Sequence, residues 1–248
     1  MATVLATPLP LKSRFPGFPP DAVAFLRKLK RNNRRDWFQP RKAQYETAIK
    51  LPMLELVNAL NAEFARFAPD YVTPPEKAVY RIYRDTRFSP DKTPYKTHVA
   101  AIFPHRTAVK REGAVFYMHF TETELLAFAG VYSPDRDELL AYRNLLAEHH
   151  EEFREMLRDK KLRRVAGDLQ GEQMSRLPKG FPCGHSAEAL LRHRQWYLEA
   201  VLDIKLLTTP RVVPELARRF DAMAPLVVFL NRVMARKSKP KKMPFMAF

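Results

Sequence analysis

Ala114-Val115-Phe116-Tyr117-Met118-His119-Phe120-Thr121-Glu122-Thr123-Glu124-Leu125-Leu126-Ala127-Phe128-Ala129-Gly130-Val131-Tyr132 carries the strongest β pattern in the chain. Two runs rich in β-branched and aromatic residues, Ala114 to Thr121 and Leu125 to Tyr132, flank Glu122-Thr123-Glu124. That connector is short enough for a hairpin, so the pair predicts two antiparallel strands. Upstream, Val99 to Phe103 and Ala78 to Tyr83 have the same composition and read as further strands. Strands that follow one another without intervening helices argue for an α+β fold over a doubly wound parallel sheet. The expectation is a mainly antiparallel sheet of about four strands within roughly residues 78–132, packed by N-terminal and C-terminal helices.

The flanks carry helical spacing. Pro19-Pro20-Asp21 opens a helix in which Ala22, Phe25, Leu26 and Leu29 share one face, and Asn32-Asn33 ends it. Tyr45, Ile49, Leu56, Leu60, Phe64 and Phe67 continue a helical period interrupted by Pro52, which predicts a kink or split. Ser133-Pro134-Asp135 supplies a hydroxyl cap, a first-turn proline and an acid near the positive end of the helix dipole. Glu188 to Leu207 reads as a helix, and Thr209-Pro210 with Pro214 introduces a last one toward Met234. The predicted organisation is a flexible Pro-rich arm over residues 1–16, one α+β domain over residues 17–235, and a mobile basic tail over residues 236–248.

Composition narrows the function classes. With 43 Lys and Arg against 27 Asp and Glu, the formal net charge is +16, which repels itself and attracts polyanions. Nucleic acid, acidic surfaces and phosphorylated ligands are therefore the partners to weigh, against a merely solvated basic surface. The one cysteine, Cys183, excludes an internal disulfide framework and a multi-thiolate zinc site, and points to a reducing, cytoplasmic compartment. No apolar run approaches the ~18–20 residues of a membrane helix, so no membrane insertion is expected.

The candidate site is Arg81-Ile82-Tyr83-Arg84-Asp85-Thr86-Arg87-Phe88-Ser89-Pro90-Asp91-Lys92-Thr93-Pro94-Tyr95-Lys96-Thr97-His98, whose net charge is +3. Guanidinium forks match carboxylate or phosphate oxygens, and lysine adds a mobile point charge. Arg81, Arg84, Arg87, Lys92 and Lys96 are thus candidate anion-binding groups, with Pro90 and Pro94 stiffening the loop that presents them. Alternation along a regular strand would turn Arg81 and Arg84 to opposite faces. Asp85 and His98 are the candidate acid or base if the segment acts as an enzyme on a small anionic substrate. The competing architectural reading is an internal ion-pair network in which Asp85 and Asp91 neutralise Arg84 and Arg87 and pin the loop.

This segment, together with Phe18-Pro19-Pro20-Asp21-Ala22, Asn33-Arg34-Arg35-Asp36-Trp37-Phe38 and Leu177-Pro178-Lys179-Gly180-Phe181, resembles the signature of a conserved hypothetical bacterial and fungal family, domain of unknown function 2461. The resemblance runs from about Phe18 to Leu207. It implies no activity, cofactor or catalytic residue.

Arg34, Arg35 and Lys179 are secondary anion-binding candidates, the last beside Gly180 in a possible backbone nest. Trp37 reads as a core anchor in preference to a stacking platform, and Cys183-Gly184-His185 lacks the ligand count of a metal site. There is no Gly-rich phosphate loop, nucleophile elbow or HExxH, so no cofactor or metal is expected. The functional expectation is binding of an anionic or phosphorylated ligand, nucleic acid included, with the small-substrate enzyme as the alternative. No oligomeric state follows from the sequence.

Overall fold

The computed structural model describes residues 15–108 and 112–237. Within them a four-stranded antiparallel sheet, ordered β1-β2-β3-β4, packs against helices. The strands are β1 (Val99–Phe103), β2 (Val115–Phe120), β3 (Glu124–Val131) and β4 (Trp196–Asp203). The predicted hairpin forms in the register Phe120↔Leu125 to Val115↔Gly130, closed by Thr121 N–H donating to Glu124 O at 2.9 Å.

Two strand expectations need correction. Ala78 to Tyr83 is not a strand: Pro74-Pro75 seeds one helical turn, Pro75–Ala78, and the chain then meets the β1 edge through a single Val79↔Ala101 bridge. The fourth strand lies instead in a segment expected to be helical. Glu188 to Leu207 divides into a helical turn, Glu188–Leu191, then β4, then a 3-10 turn, Ile204–Thr208. Leu, Glu and Ala favour helix locally, but Trp196, Leu198, Ala200 and Leu202 alternate into the core, and β3 supplies the ladder. Trp196 is fully buried, its indole N–H donating to Leu190 O at 3.0 Å. The buried Arg143 secures the same turn by donating to Leu191 O at 3.0 Å and His193 O at 3.3 Å.

The helices form as their spacing dictates. In α1 (Asp21–Arg31) the buried residues are Ala22, Phe25, Leu26 and Leu29, and Asn32 follows as the C-cap. Pro52 lacks an N–H and crowds the preceding turn. The chain responds with a widened π-turn, Glu46–Lys50, before α2 (Leu51–Phe67), where the proline sits harmlessly in the first turn. α3 (Arg136–Leu157) is capped by Asp135, not by the expected Ser133 hydroxyl. Asp135 accepts from the N–H groups of Asp137 and Glu138, and Glu138 returns a carboxylate to Asp135 N–H, completing a capping box. α4 (Lys160–Ala166) and α5 (Val212–Leu230) follow.

One face of the sheet carries Phe103, Phe116 and Phe120 into the main core. Phe64 of α2 and Phe220 of α5 meet that face, with Phe64 4.7 Å from Phe103, 5.1 Å from Phe116 and 5.4 Å from Phe220 between ring centroids. Each such ring contributes about 1.5–3 kcal/mol through burial. Phe15 and Phe18 join this core, Phe18 lying 4.9 Å from Phe120. The remainder of the expected arm, and the tail beyond Lys237, lie outside the described residues. Among the described residues no helix is long and apolar enough to cross a membrane.

Candidate functional site

The segment from Arg81 to His98 folds as two legs joined by a loop. Tyr83 and Tyr95 form an antiparallel bridge, Arg84 N–H donates to Pro94 O at 2.9 Å, and Lys96 N–H donates to Ile82 O at 2.8 Å. Tyr95 is buried and stacks on Phe38 at 4.1 Å, which fastens these legs to the turn after α1. Asn33 completes the attachment. Its Oδ1 accepts from Tyr95 N–H at 3.0 Å and its Nδ2 donates to Tyr95 O at 2.8 Å.

Between this turn and the two legs lies a cleft of about 820 Å³. Arg34 and Arg35 line it from one side, and Arg84 and Lys92 from the other. Asn33, Gln39, Thr86 and Thr93 add hydrogen-bonding groups, and Tyr83 and Tyr95 add ring surface. Arg84 is held in position by Asp91, Thr93 Oγ1 and, at 3.4 Å, Ser89 Oγ. Asp91 also accepts from Thr93 N–H at 2.9 Å, and the Arg84 guanidinium holds its carboxyl down at about 2. Lys92 Nζ donates to Thr86 O at 2.9 Å, and Arg34 reaches Asp36 at 3.3 Å. Among the described residues no carboxylate pairs with Arg35 or Lys92.

The other candidates go elsewhere. Arg87 forms a two-pronged pair with Asp85, Nε to Oδ1 at 3.0 Å and Nη2 to Oδ2 at 2.7 Å, outside the cleft lining. That pairing holds the Asp85 carboxyl at about 2, so it is a fixed anion at neutral pH and a poor proton-transfer group. Arg81 is exposed and acts electrostatically on Asp85. Lys96 turns to the sheet, its ammonium 4.6 Å from the Tyr80 ring. His98 does the same, 5.7 Å from His119, and burial there pushes it down to about 4. Asp85 and His98 therefore do not share a site with the cleft cations. Asp85 and Asp91 pair with Arg87 and Arg84, as the architectural reading anticipated for the loop itself.

The secondary candidates also separate. Arg34 and Arg35 join the cleft, whereas Lys179 is exposed in a turn outside its lining. Trp37 packs 5.6 Å from Phe25, and Arg41 lies 4.7 Å over its ring, leaving that face already stacked. Cys183 is exposed, and His185 Nδ1 accepts from Ala187 N–H at 3.0 Å. Among the described residues no group of three or more His, Cys, Asp or Glu gathers as metal ligands. Sequence reading missed Asn33, Gln39 and Tyr83 as site residues; Asn33 closing a basic helix immediately before two arginines was the available signal.

A comparison with curated proteins gives no match. The family model described as "Conserved hypothetical protein (DUF2461)" matches residues 21–229, which includes α1, the Asn33 turn, both legs of the cleft and the whole sheet, and the chain belongs to that family.

Proposed function

We propose that the protein binds an anionic ligand, a phosphate or phosphorylated molecule, in the cleft between the Asn33 turn and the Tyr83–Tyr95 legs. The observation that carries this reading is the convergence of Arg34 and Arg35 with Arg84 and Lys92, from segments about fifty residues apart, on one concave surface. Two of these cations are balanced by Asp36 and Asp91, which leaves Arg35 and Lys92 as the charges available to an incoming anion. Arg84, fixed by its hydroxyl and carboxylate partners, is preorganised to offer a further N–H without ordering cost. A cytoplasmic setting, inferred from the single cysteine, makes phosphorylated metabolites and nucleic acid the accessible sources of such anions.

Nucleic acid gains support from Phe88, which stands 93% exposed at the loop tip with Arg87 5.6 Å over its ring. An exposed ring beside a cation is a stacking surface for an unpaired base.

The test is titration of the full chain with pyrophosphate and with single-stranded RNA across a salt series. Binding that weakens with salt is expected, and Arg35→Ala should flatten the log–log slope by roughly 0.7–0.9 for each phosphate it ceases to neutralise. Phe88→Ala should weaken RNA binding and leave pyrophosphate unaffected. Absence of salt-dependent binding to both probes, or binding indifferent to Arg35→Ala and Lys92→Ala, would overturn the proposal.

A further inference from the structure

The second face of the sheet carries a different chemistry. Strand alternation that sends Phe116 and Phe103 to the helices turns Ile102, Tyr117, Phe128 and Glu199 the other way, side by side in one row of the ladder. These residues line a groove of about 680 Å³, within the range that encloses a small organic molecule. Its walls are rings in contact: Tyr117 meets Phe128 edge-on at 6.1 Å and 90°, Phe128 lies 4.9 Å from Tyr197, and Tyr197 lies 5.7 Å from the exposed Tyr132.

Glu199 sits half-buried among those rings, and among the described residues no hydrogen bond or ion pair engages its carboxylate. Its charge reaches His119 and Tyr197 through space. In a chain of net charge +16, this carboxylate, partly withdrawn from water and flanked by aromatic faces, has no counter-charge paired with it among the described residues, which such a position calls for. Ring faces are the negative side of the aromatic quadrupole, so rings and carboxylate attract the same kind of guest. We infer that this groove is a binding site for a small organic cation, an alkylated ammonium whose charge lies over the Tyr117, Phe128 and Tyr197 rings beside Glu199.

Three further features agree. The protein already uses this chemistry on itself in the groove, with the Lys96 ammonium 4.6 Å from the Tyr80 ring, itself 6.3 Å from Tyr117. His119, on the groove wall, is kept toward its neutral form by burial and adds no opposing charge. Glu138, also on the wall, is committed to the N–H groups of Gly113 and Asp135, at 3.1 Å each, which leaves Glu199 as the uncommitted one of the two wall carboxylates among the described residues. Two carboxylates on the wall repel a phosphate backbone, so the same face is ill suited to nucleic acid despite its rings.

The experiment titrates the full chain, followed by calorimetry and by NMR of the groove residues, with choline and with 3,3-dimethylbutan-1-ol, which has the same shape and no charge. Choline is expected to bind at least about tenfold more tightly than the neutral isostere. Glu199→Gln should remove most of that preference, Tyr132→Leu should weaken choline at an exposed position where folding is not at risk, and Arg35→Ala should change nothing. Equal affinity for choline and its isostere, undiminished choline binding by Glu199→Gln, or no saturable shift with either probe overturns the inference. So does an RNA affinity or a dimer that Tyr132→Leu abolishes, since either would give the face to a different occupant.

Discussion

The Asn33 carboxamide pairs in both directions with the backbone of Tyr95, accepting its N–H at 3.0 Å and donating to its carbonyl at 2.8 Å. One side chain thus imitates a strand neighbour across 62 positions of sequence and joins the two halves of the basic cleft. Asn61 does the same for Thr73, and Asn231 for Ala114.

Asn33→Ala leaves a part-buried N–H and C=O without partners, a loss of about 2 kcal/mol by the usual cost of unsatisfied groups. Urea denaturation should show that loss, and pyrophosphate binding should weaken because the Arg34-Arg35 turn is no longer tied to the Tyr83–Tyr95 legs. Asn33→Asp keeps the acceptor but not the donor and should not rescue either property.

Charge changes in the cleft should separate its working cations from its structural ones. Asp91→Asn removes a negative charge beside the cleft while keeping an oxygen to position Arg84, and should tighten pyrophosphate binding severalfold, whereas Lys92→Ala should weaken it. Arg87→Ala, which removes a cation paired with Asp85 outside the cleft, should leave affinity unchanged in the same titration.

Acid should destabilise the fold through the half-buried His98 and His119 and the buried His193. Burial, aided by the charges of His119, Lys96 and Arg84, pushes His98 from 6.5 down to about 4, and burial lowers His119 and His193 as well. Between those two values the unfolded chain takes up a proton at His98 that the folded chain refuses. Stability from this source is whole above pH 6.5 and is lost progressively as pH falls to about 4. Urea midpoints measured across that window should fall with pH, less steeply in His98→Gln, and the His98 ring resonances should titrate near 4.

Gly130 and Gly180 both have positive φ, 134° and 94°, yet they should respond differently to alanine. A Cβ on Gly130 would lie 2.3 Å from Trp196 O and 2.7 Å from Tyr197 Cα, inside the β3–β4 ladder. Gly130→Ala should cost more than about 3 kcal/mol, since backbone strain and displacement of a core strand add. Gly180 has nothing within 4 Å of such a Cβ, so Gly180→Ala should cost about 1–2 kcal/mol from backbone strain alone. Thermal melts of the two variants provide the comparison.

Local patterns determined a good part of this protein. The phase of α1, the Thr121–Glu124 hairpin, the start of α3, the disturbance ahead of Pro52 and the basic character of the Arg81 to His98 segment all depend on residues within a few positions of one another. What the sequence did not disclose depends on partners far along the chain. Trp196 to Asp203 has helix-favouring residues and becomes a strand because β3 offers it a ladder and the core accepts every second side chain. The anion-binding candidates Arg81, Arg84, Arg87, Lys92 and Lys96 are contiguous in sequence but diverge, since the chain reverses between Arg84 and Pro94 and successive side chains on each leg point apart. Arg34 and Arg35 reach Arg84 and Lys92 only because Asn33 and Phe38 fasten on Tyr95. The ring-lined groove beside Glu199 has no local signature, because its central row takes Ile102, Tyr117, Phe128 and Glu199 from four different strands and its walls add residues from the flanking loops.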